Sequence, residues 1–133
     1  MRERGASLAG ERRTFLFMHD FRKLHVWRRA RDTVVIADRM TRQFPRADQG
    51  VIAAQVRRAV ISIPANIAEG CGKSSRKETI RFLQIAAGSA AEAESHLEVA
   101  YALNYLNAKQ YQALLGELDA IQRMLRRLMI NLP

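Results

Sequence analysis

Hydrophobic residues recur at helical spacing through most of this 133-residue chain, and no stretch alternates apolar with polar residues as a strand does. The clearest stripes are Leu24, Trp27, Ala30, Val34 and Ala37 near the start, and Leu114, Leu118, Ile121, Leu125, Leu128 and Leu132 near the end. The spacing predicts helices at about 21–43, 50–69, 76–106 and 109–131. Because the turns between them are short, the pattern favours an all-α, antiparallel up-down-up-down four-helix bundle over residues 20–133.

Residues 1–19 show no sustained periodicity, and we expect a loose N-terminal extension there. Met18 directly precedes the periodic part, so an upstream start-codon assignment is an alternative source of the first 17 residues. Charged residues interrupt this segment before any signal-peptide core, and no apolar run reaches the ~18 residues of a membrane span. We therefore expect a cytoplasmic protein that does not contact membranes.

The predicted second helix is apolar on nearly every side from Ala59 to Ala68. A chain this short cannot easily surround such a helix, so we expect part of it to be buried against another subunit. Pro64 should bend the helix, because proline lacks an amide hydrogen and frees a carbonyl one turn upstream. Gly70 is expected to end the helix. The polar residues on one face indicate a hydrogen-bond network between helices or subunits rather than an active site; they are Gln55, Ser62, Asn66 and Glu69.

The predicted third helix begins with the capping-box spacing of Ser75 and Glu78. Its middle, Ala86–Ala91, consists of small residues and includes Gly88 and Ser89. A glycine inside a helix costs about 1 kcal/mol relative to alanine, and close packing against another helix would compensate for this cost. We therefore expect these small residues to lie in a helix–helix or subunit contact.

The chain carries 22 Lys and Arg against 13 Asp and Glu, a formal net charge of +9, and the excess is uneven. Residues 82–122 are acidic overall, whereas the remaining segments are basic. Clustered basic residues indicate binding to a nucleic acid or another polyanion, and a merely solubilising surface is the alternative. The candidate phosphate-contacting residues lie on three helices. They are Arg28, Arg29 and Arg31 on the outer side of helix 1, away from the Trp27 stripe, then Arg57 and Arg58 on helix 2, and Lys73, Arg76 and Lys77 around the start of helix 3. Further arginines, at 123, 126 and 127, lie on helix 4. Few exposed aromatic residues accompany them, which argues against base stacking.

The sequence gives little support for a nucleotide-binding, catalytic or metal-binding site. The Gly72-Lys73-Ser74 segment lacks the earlier glycine of a phosphate-binding loop, since Ile67 occupies that position, and it follows a helix rather than a strand. A helix start flanked by Lys73, Arg76 and Lys77 still suits a phosphate group, and a plain capped turn is the alternative. Glu69, Glu92 and His96 are conceivable catalytic residues, but they match no catalytic or metal-binding spacing. The single cysteine, Cys71, excludes an internal disulfide, and we expect no metal or cofactor.

Several motifs carry a resemblance to a known family. They are Phe21-x-x-Leu24-x-Val26-Trp27, Phe44-Pro45, Arg57-Arg58-Ala59-x-x-Ser62-Ile63-Pro64-Ala65-Asn66-Ile67-Ala68-Glu69-Gly70 and Gly88-Ser89-Ala90-x-Glu92. The chain thereby resembles the bacterial four-helix-bundle proteins named for the 23S rRNA intervening sequence, over about residues 20–130. The resemblance implies a left-handed bundle that assembles as a homopentameric ring. Related accessory proteins of diversity-generating retroelements form basic pentameric barrels that bind nucleic acid, and the family has no established catalytic residues.

We therefore expect a non-enzymatic, homo-oligomeric bundle that binds RNA or DNA through a basic surface. A protein-interaction scaffold that does not bind nucleic acid is the alternative. The residues expected to support packing or assembly are Ser62, Pro64, Asn66, Glu69, Gly88 and Ser89.

Overall fold

The computed structural model describes residues 20–133 and places four α-helices there. They are α1 (His25–Thr41), α2 (Ala54–Cys71), α3 (Arg76–Ala102) and α4 (Ala108–Ile130), and the described residues contain no strand. The all-α prediction is thereby confirmed. The predicted N-terminal extension, residues 1–19, lies outside the described residues.

The four helices pack side by side around one hydrophobic core. Each helix contacts two others: α2 packs on α1 and α3, and α4 packs on α3 and α1. The core of α1 is built from small residues such as Ala30 and Ala37, whereas α4 contributes Leu118 and Leu125, and all four are at most 1% exposed. Small side chains on one helix leave space for large ones on another, which lets the core reach close packing.

Helix α1 begins later than its apolar stripe predicts. Asp20 caps a 3₁₀ turn, Phe21–Lys23, and its Oδ1 accepts a hydrogen bond from the Arg22 amide. Leu24 then adopts an extended conformation, with φ −75° and ψ 125°, so the α-helix begins at His25. Asp20 therefore caps a short turn rather than α1 itself.

A π-helical turn, Gln49–Ala53, leads directly into α2. The side chain of Gln49 anchors this turn to the end of α1, since its Nε2 donates to the carbonyl oxygens of Thr41 at 2.8 Å and Phe44 at 2.9 Å. The predicted start of helix 2 near residue 50 therefore falls in a π turn, and regular α-helical geometry begins four residues later.

Gly70 does not end helix α2, and that prediction is wrong. The helix continues to Cys71, and no described glycine has a positive φ. Gly70 instead marks a close approach of α2 to α3. A Cβ at this position would lie 3.1 Å from Phe82 Cβ and 3.3 Å from the Thr79 carbonyl oxygen.

Helix α3 ends at Ala102, four residues earlier than predicted. Asn104 has φ 62°, in the left-handed region. The amide of Tyr105 donates to the Ala100 carbonyl and that of Asn104 to the Tyr101 carbonyl, both at 3.0 Å. This pair of bonds is the Schellman motif, which satisfies the last carbonyls of a helix and turns the chain away from its axis.

Candidate nucleic-acid interface

The end of the bundle that holds the α2–α3 turn brings together separate parts of the chain. The 3₁₀ turn before α1 packs against α2, and Asp20 beside this turn acts electrostatically on Cys71, the last residue of α2. The C-terminal residues reach the same end, where Arg76 Nε donates to the Leu132 carbonyl oxygen over 3.5 Å. Eight cationic side chains on these segments and on the adjoining turns of α1 and α4 have no ion-pair partner among the described residues, and we call them the basic end; Arg22, on the same 3₁₀ turn, is left out because it lies 3.8 Å from Asp20. The eight are Lys23, Arg28, Lys73, Arg76, Lys77, Arg81, Arg126 and Arg127.

The basic end has no ion-pair partners among residues 20–133. Seven of its side chains are exposed, and Lys73 is half-buried. Of the carboxylates nearby in the chain, Asp20 lies 3.8 Å from Arg22, and Glu69 and Glu78 pair with no described cation. A phosphate can therefore approach these cations without displacing a carboxylate from them.

The start of α3 contributes most to the basic end. Ser75 is the N-cap, and its Oγ accepts a hydrogen bond from the Glu78 amide at 3.2 Å. An open groove runs along the first turns of the helix, and three cations and one carboxylate line it: Arg76, Lys77, Arg81 and Glu78. The predicted phosphate-contacting residues Lys73, Arg76 and Lys77 thus lie together at one end of the bundle.

The three candidate arginines of α1 differ from one another in their contacts. Arg29 is half-buried and connects α1 to α4, with Nε 2.9 Å from Glu117 Oε2 and Nη2 3.3 Å from Oε1. This hydrogen bond and the charge of Glu117 raise the pKa of Arg29 above its ordinary value. Arg31 pairs with Asp32 at 3.1 Å, and its guanidinium lies 5.5 Å from the centre of the Trp27 ring, so it does not point away from Trp27 as expected. Arg28 remains exposed and has no acidic partner among residues 20–133.

Arg57 and Arg58 lie toward the opposite end of the bundle. Arg57 is half-buried in the junction between α1 and α2, where Nη1 donates to Thr41 Oγ1 at 3.1 Å and to Gln49 Oε1 at 3.3 Å. Its Nη2 also donates to the Gln49 carbonyl oxygen. Arg58 is exposed on α2 and has no hydrogen-bonding or ionic partner among the described residues. The structure thus separates this pair from the basic end and places Arg57 in a structural role.

Sequence reasoning missed Arg81 and gave the α4 arginines no specific role. Arg81 follows Lys77 by four residues, a spacing that puts both side chains on one face of a helix. This spacing could have been recognised from the sequence. The position of Arg126 and Arg127 beside the start of α3 could not, because it depends on the packing of α4 against α3.

The polar stripe of α2 lies along its seam with α3. The hydroxyls of Ser62 and Ser89 are 2.8 Å apart, and Asn66 Nδ2 donates to the Ser62 carbonyl at 2.8 Å and to its Oγ at 2.9 Å. Asn66 thus provides a side-chain donor near Pro64, where the helix lacks an amide hydrogen. Gln55 is half-buried and Glu69 is exposed. These contacts form a network between two helices of one chain.

Beside this seam, α2 and α3 expose apolar and small residues to solvent. Ile61 is 57% exposed and Ile85 is 40% exposed. Ala65 and Gly88 are also exposed, and a Cβ on Gly88 would meet nothing within 4 Å. We call these four residues the outer α2/α3 face. The expected compensation for Gly88 is therefore absent within the described part of the chain.

The comparison with known proteins decides the family. The model of the 23S rRNA-intervening sequence protein family matches residues 22–127, which is most of the chain. The chain belongs to this family. No curated protein matches the sequence significantly.

One solved protein structure has a similar fold. It is a protein of unknown function from the S23 ribosomal protein family of Bacteroides thetaiotaomicron, solved at 1.70 Å. The two share 25% sequence identity, and the match covers 78% of this chain and 97% of the other, with a TM-score of 0.71. The fold of the family thus spans α1 to α4, whereas the relative's printed description assigns it no activity.

Of the three conceivable catalytic residues of this family member, two lie together on α3. His96 Nε2 lies 3.3 Å from Glu92 Oε1 on the surface of α3, and Glu69 is on α2. No group of three potential metal ligands occurs within residues 20–133. Burial, with a smaller contribution from Asp20, raises the pKa of the Cys71 thiol to about 11, so the nucleophilic thiolate is disfavoured at neutral pH. Within the described range, no helix is both long and apolar enough to cross a membrane.

Proposed function

We propose that this protein is a non-enzymatic, homo-oligomeric helical bundle that binds RNA or DNA through its basic end and acts in the cytoplasm. The observation that carries the proposal is the collection of eight cations without acidic partners at one end of residues 20–133. Such a surface attracts phosphates because each contact releases counterions condensed on the nucleic acid. The family name refers to a ribosomal-RNA insertion, which agrees with this proposal but is not itself a binding observation.

We further propose that the bundle has left-handed up-down-up-down topology and assembles as a ring, with a pentamer implied by the family resemblance. The outer α2/α3 face supports an interface, because Ile61 and Ile85 are apolar and exposed while Gly88 leaves room for a close neighbour. In a cyclic ring each subunit uses two different surfaces, so a second surface of the next copy would cover this face. Assembly would also multiply the basic ends and strengthen the field on a polyanion.

A scaffold that binds another protein remains the second candidate. The exposed apolar residues of the outer α2/α3 face favour it, since exposed apolar patches mark protein–protein contacts. The two candidates differ in the charge dependence of binding. A nucleic-acid complex depends on the basic end and weakens steeply with salt, whereas an apolar protein contact does not.

The test compares two triple variants that remove the same charge from opposite ends. Lys77→Gln, Arg81→Gln and Arg126→Gln neutralise the basic end, and Arg39→Gln, Arg46→Gln and Lys109→Gln form the matched control. Each set removes three of the 22 positive charges, and none of the six residues has an ion-pair partner in residues 20–133. Binding of labelled RNA and DNA is measured by fluorescence anisotropy over a salt series, after nuclease treatment and high-salt purification.

We expect the basic-end variant to bind at least about tenfold more weakly at low salt. The slope of log affinity against log salt concentration should also become shallower by about two to three, since each lost phosphate contact accounts for about 0.9. The control should retain its affinity within about threefold, because its charges are remote from the interface. Equal losses in both variants would contradict a localised interface. Absence of binding by the unmodified protein even at low salt would reject the nucleic-acid proposal and favour a protein partner.

A further inference from the structure

The aromatic rings beside the basic end are already in contact with other side chains. The Lys73 ammonium nitrogen lies 5.0 Å from the centre of the Phe82 ring, and the Arg81 guanidinium carbon lies 5.9 Å from it. At the start of α1, the Phe21 and Trp27 ring centres are 4.9 Å apart, and the Arg22 guanidinium lies 4.5 Å from the Phe21 ring. All three rings are half-buried. The described part of the basic end therefore presents no exposed aromatic ring on which a base could stack.

The one exposed aromatic ring of residues 20–133 lies in an acidic neighbourhood. Tyr101, at the far end of α3, is 39% exposed. Its ring stacks on Tyr111, with ring centres 4.3 Å apart and planes 17° apart. The Tyr111 hydroxyl donates to Glu98, whose carboxylate would repel a phosphate backbone. The stacking surface and the cationic surface are thus at opposite ends of α3.

This separation determines which form of nucleic acid suits the surface. Proteins that bind single strands without sequence preference combine a cationic groove with aromatic side chains that stack on the bases. Where cations act alone, affinity comes from phosphate contacts and counterion release. A duplex carries about one charge per 1.7 Å of its axis, against one per 3.4 Å for each strand, so it offers more phosphates to a cationic surface of fixed size.

We infer that the basic end binds double-stranded nucleic acid through its phosphate backbone, in preference to single strands and without reading the bases. This inference rests on the proposed function, since it specifies which form of nucleic acid that same surface takes. The cations are on the outer sides and ends of helices that pack around one core, so their positions relative to one another are set by the bundle. The open groove at the start of α3 is lined, within residues 20–133, by three of them and by no aromatic residue.

The test uses two labelled oligonucleotides of different base sequence, each long enough for about two helical turns, alone and annealed to its complement. Affinities of the full-length protein for both forms are measured by anisotropy, as RNA and as DNA, between about 50 and 200 mM salt. We expect the duplex to bind at least about tenfold more tightly at low salt, with the steeper salt slope, and its affinity to be independent of base sequence. Single-strand affinity equal to or greater than duplex affinity would overturn the inference while leaving the proposed function intact. Failure of both forms to bind would overturn the proposed function as well.

A Phe82→Leu variant provides an independent check on stacking. Leucine keeps an apolar side chain beside Gly70 and removes the ring. If the basic end makes only phosphate contacts, affinity for both forms should stay within about twofold of the unmodified protein. A loss of about tenfold confined to the single strand would identify Phe82 as a stacking residue and overturn the inference. Circular dichroism verifies that the variant is folded.

Discussion

At the scale of single residues, adjacent arginines have different physical roles. Arg57 makes three hydrogen bonds, to Thr41 and Gln49, and thereby joins the end of α1 to the π turn that starts the second helical segment. Arg58, the next residue, is exposed and bonds to nothing in residues 20–133. Removing Arg57 would leave partly buried acceptors without their charged donor, which is a stability cost rather than a loss of phosphate contact.

We therefore expect Arg57→Ala to lower the free energy of unfolding by about 1–3 kcal/mol, because it removes hydrogen bonds from a charged donor. Arg58→Ala should change it by less than about 0.5 kcal/mol, as is usual for an exposed residue. Urea denaturation followed by circular dichroism measures both. Equal effects from the two substitutions would show that the Thr41–Gln49–Arg57 contacts do not contribute to stability.

At the scale of helices, the contact between α2 and α3 depends on Gly70. A side chain there would be 3.1 Å from Phe82 Cβ and 3.3 Å from a backbone carbonyl, and neither atom can move without shifting α3. Gly116, on α4, is also helical, but no atom of the described residues lies within 4 Å of its Cβ position. Alanine substitution at these two glycines therefore separates two effects. At Gly116 it changes only helix propensity, and at Gly70 it changes helix propensity and packing together.

We expect Gly116→Ala to stabilise the protein by up to about 1 kcal/mol, since alanine is the better helix former. Gly70→Ala should instead destabilise it by about 1 kcal/mol. The added methyl group costs about 1–3 kcal/mol in overpacking, which exceeds the gain of up to about 1 kcal/mol in helix propensity. Thermal and urea unfolding of both variants give the sign of each change in the free energy of unfolding. Stabilisation by Gly70→Ala as large as that by Gly116→Ala would mean that α2 and α3 separate easily at this point.

At the scale of the whole molecule, assembly should depend on the outer α2/α3 face. Gly88 is exposed and has no neighbour within 4 Å of its Cβ position among residues 20–133, as is also true of Gly116. A leucine at either position is compatible with a helix, and its Cβ meets no atom of residues 20–133 within 4 Å. Only at an interface would it block a neighbouring subunit.

We expect light scattering to give the unmodified protein a molar mass several times the 15.1 kDa of one chain, and five times for a pentamer. Gly88→Leu should lower this mass, whereas Gly116→Leu should leave it unchanged. A monomeric unmodified protein would reject the oligomer. An oligomer that tolerates Gly88→Leu would place the interface elsewhere.

Local sequence determined the helices and much of the core, because helical periodicity and capping depend on residues only a few positions apart. The predicted stripe residues Ala30, Leu118 and Leu125 are buried, and Ser75 caps α3. The early end of α3 was missed because asparagine adopts the left-handed conformation at some positions but is not obliged to, unlike a helix-breaking proline.

Tertiary structure alone decided which cationic side chains are free of acidic partners among residues 20–133 and can therefore contact a phosphate. Arg29 is paired because α4 brings Glu117 beside it from 88 positions away, a distance that no local pattern spans. Gly70 likewise acquires its role from α3 rather than from its neighbours in the chain. The sequence established an excess of positive charge, but helix packing collected the cations of α1, α3 and α4 at one end, because charges far apart in the chain become neighbours only when the helices pack.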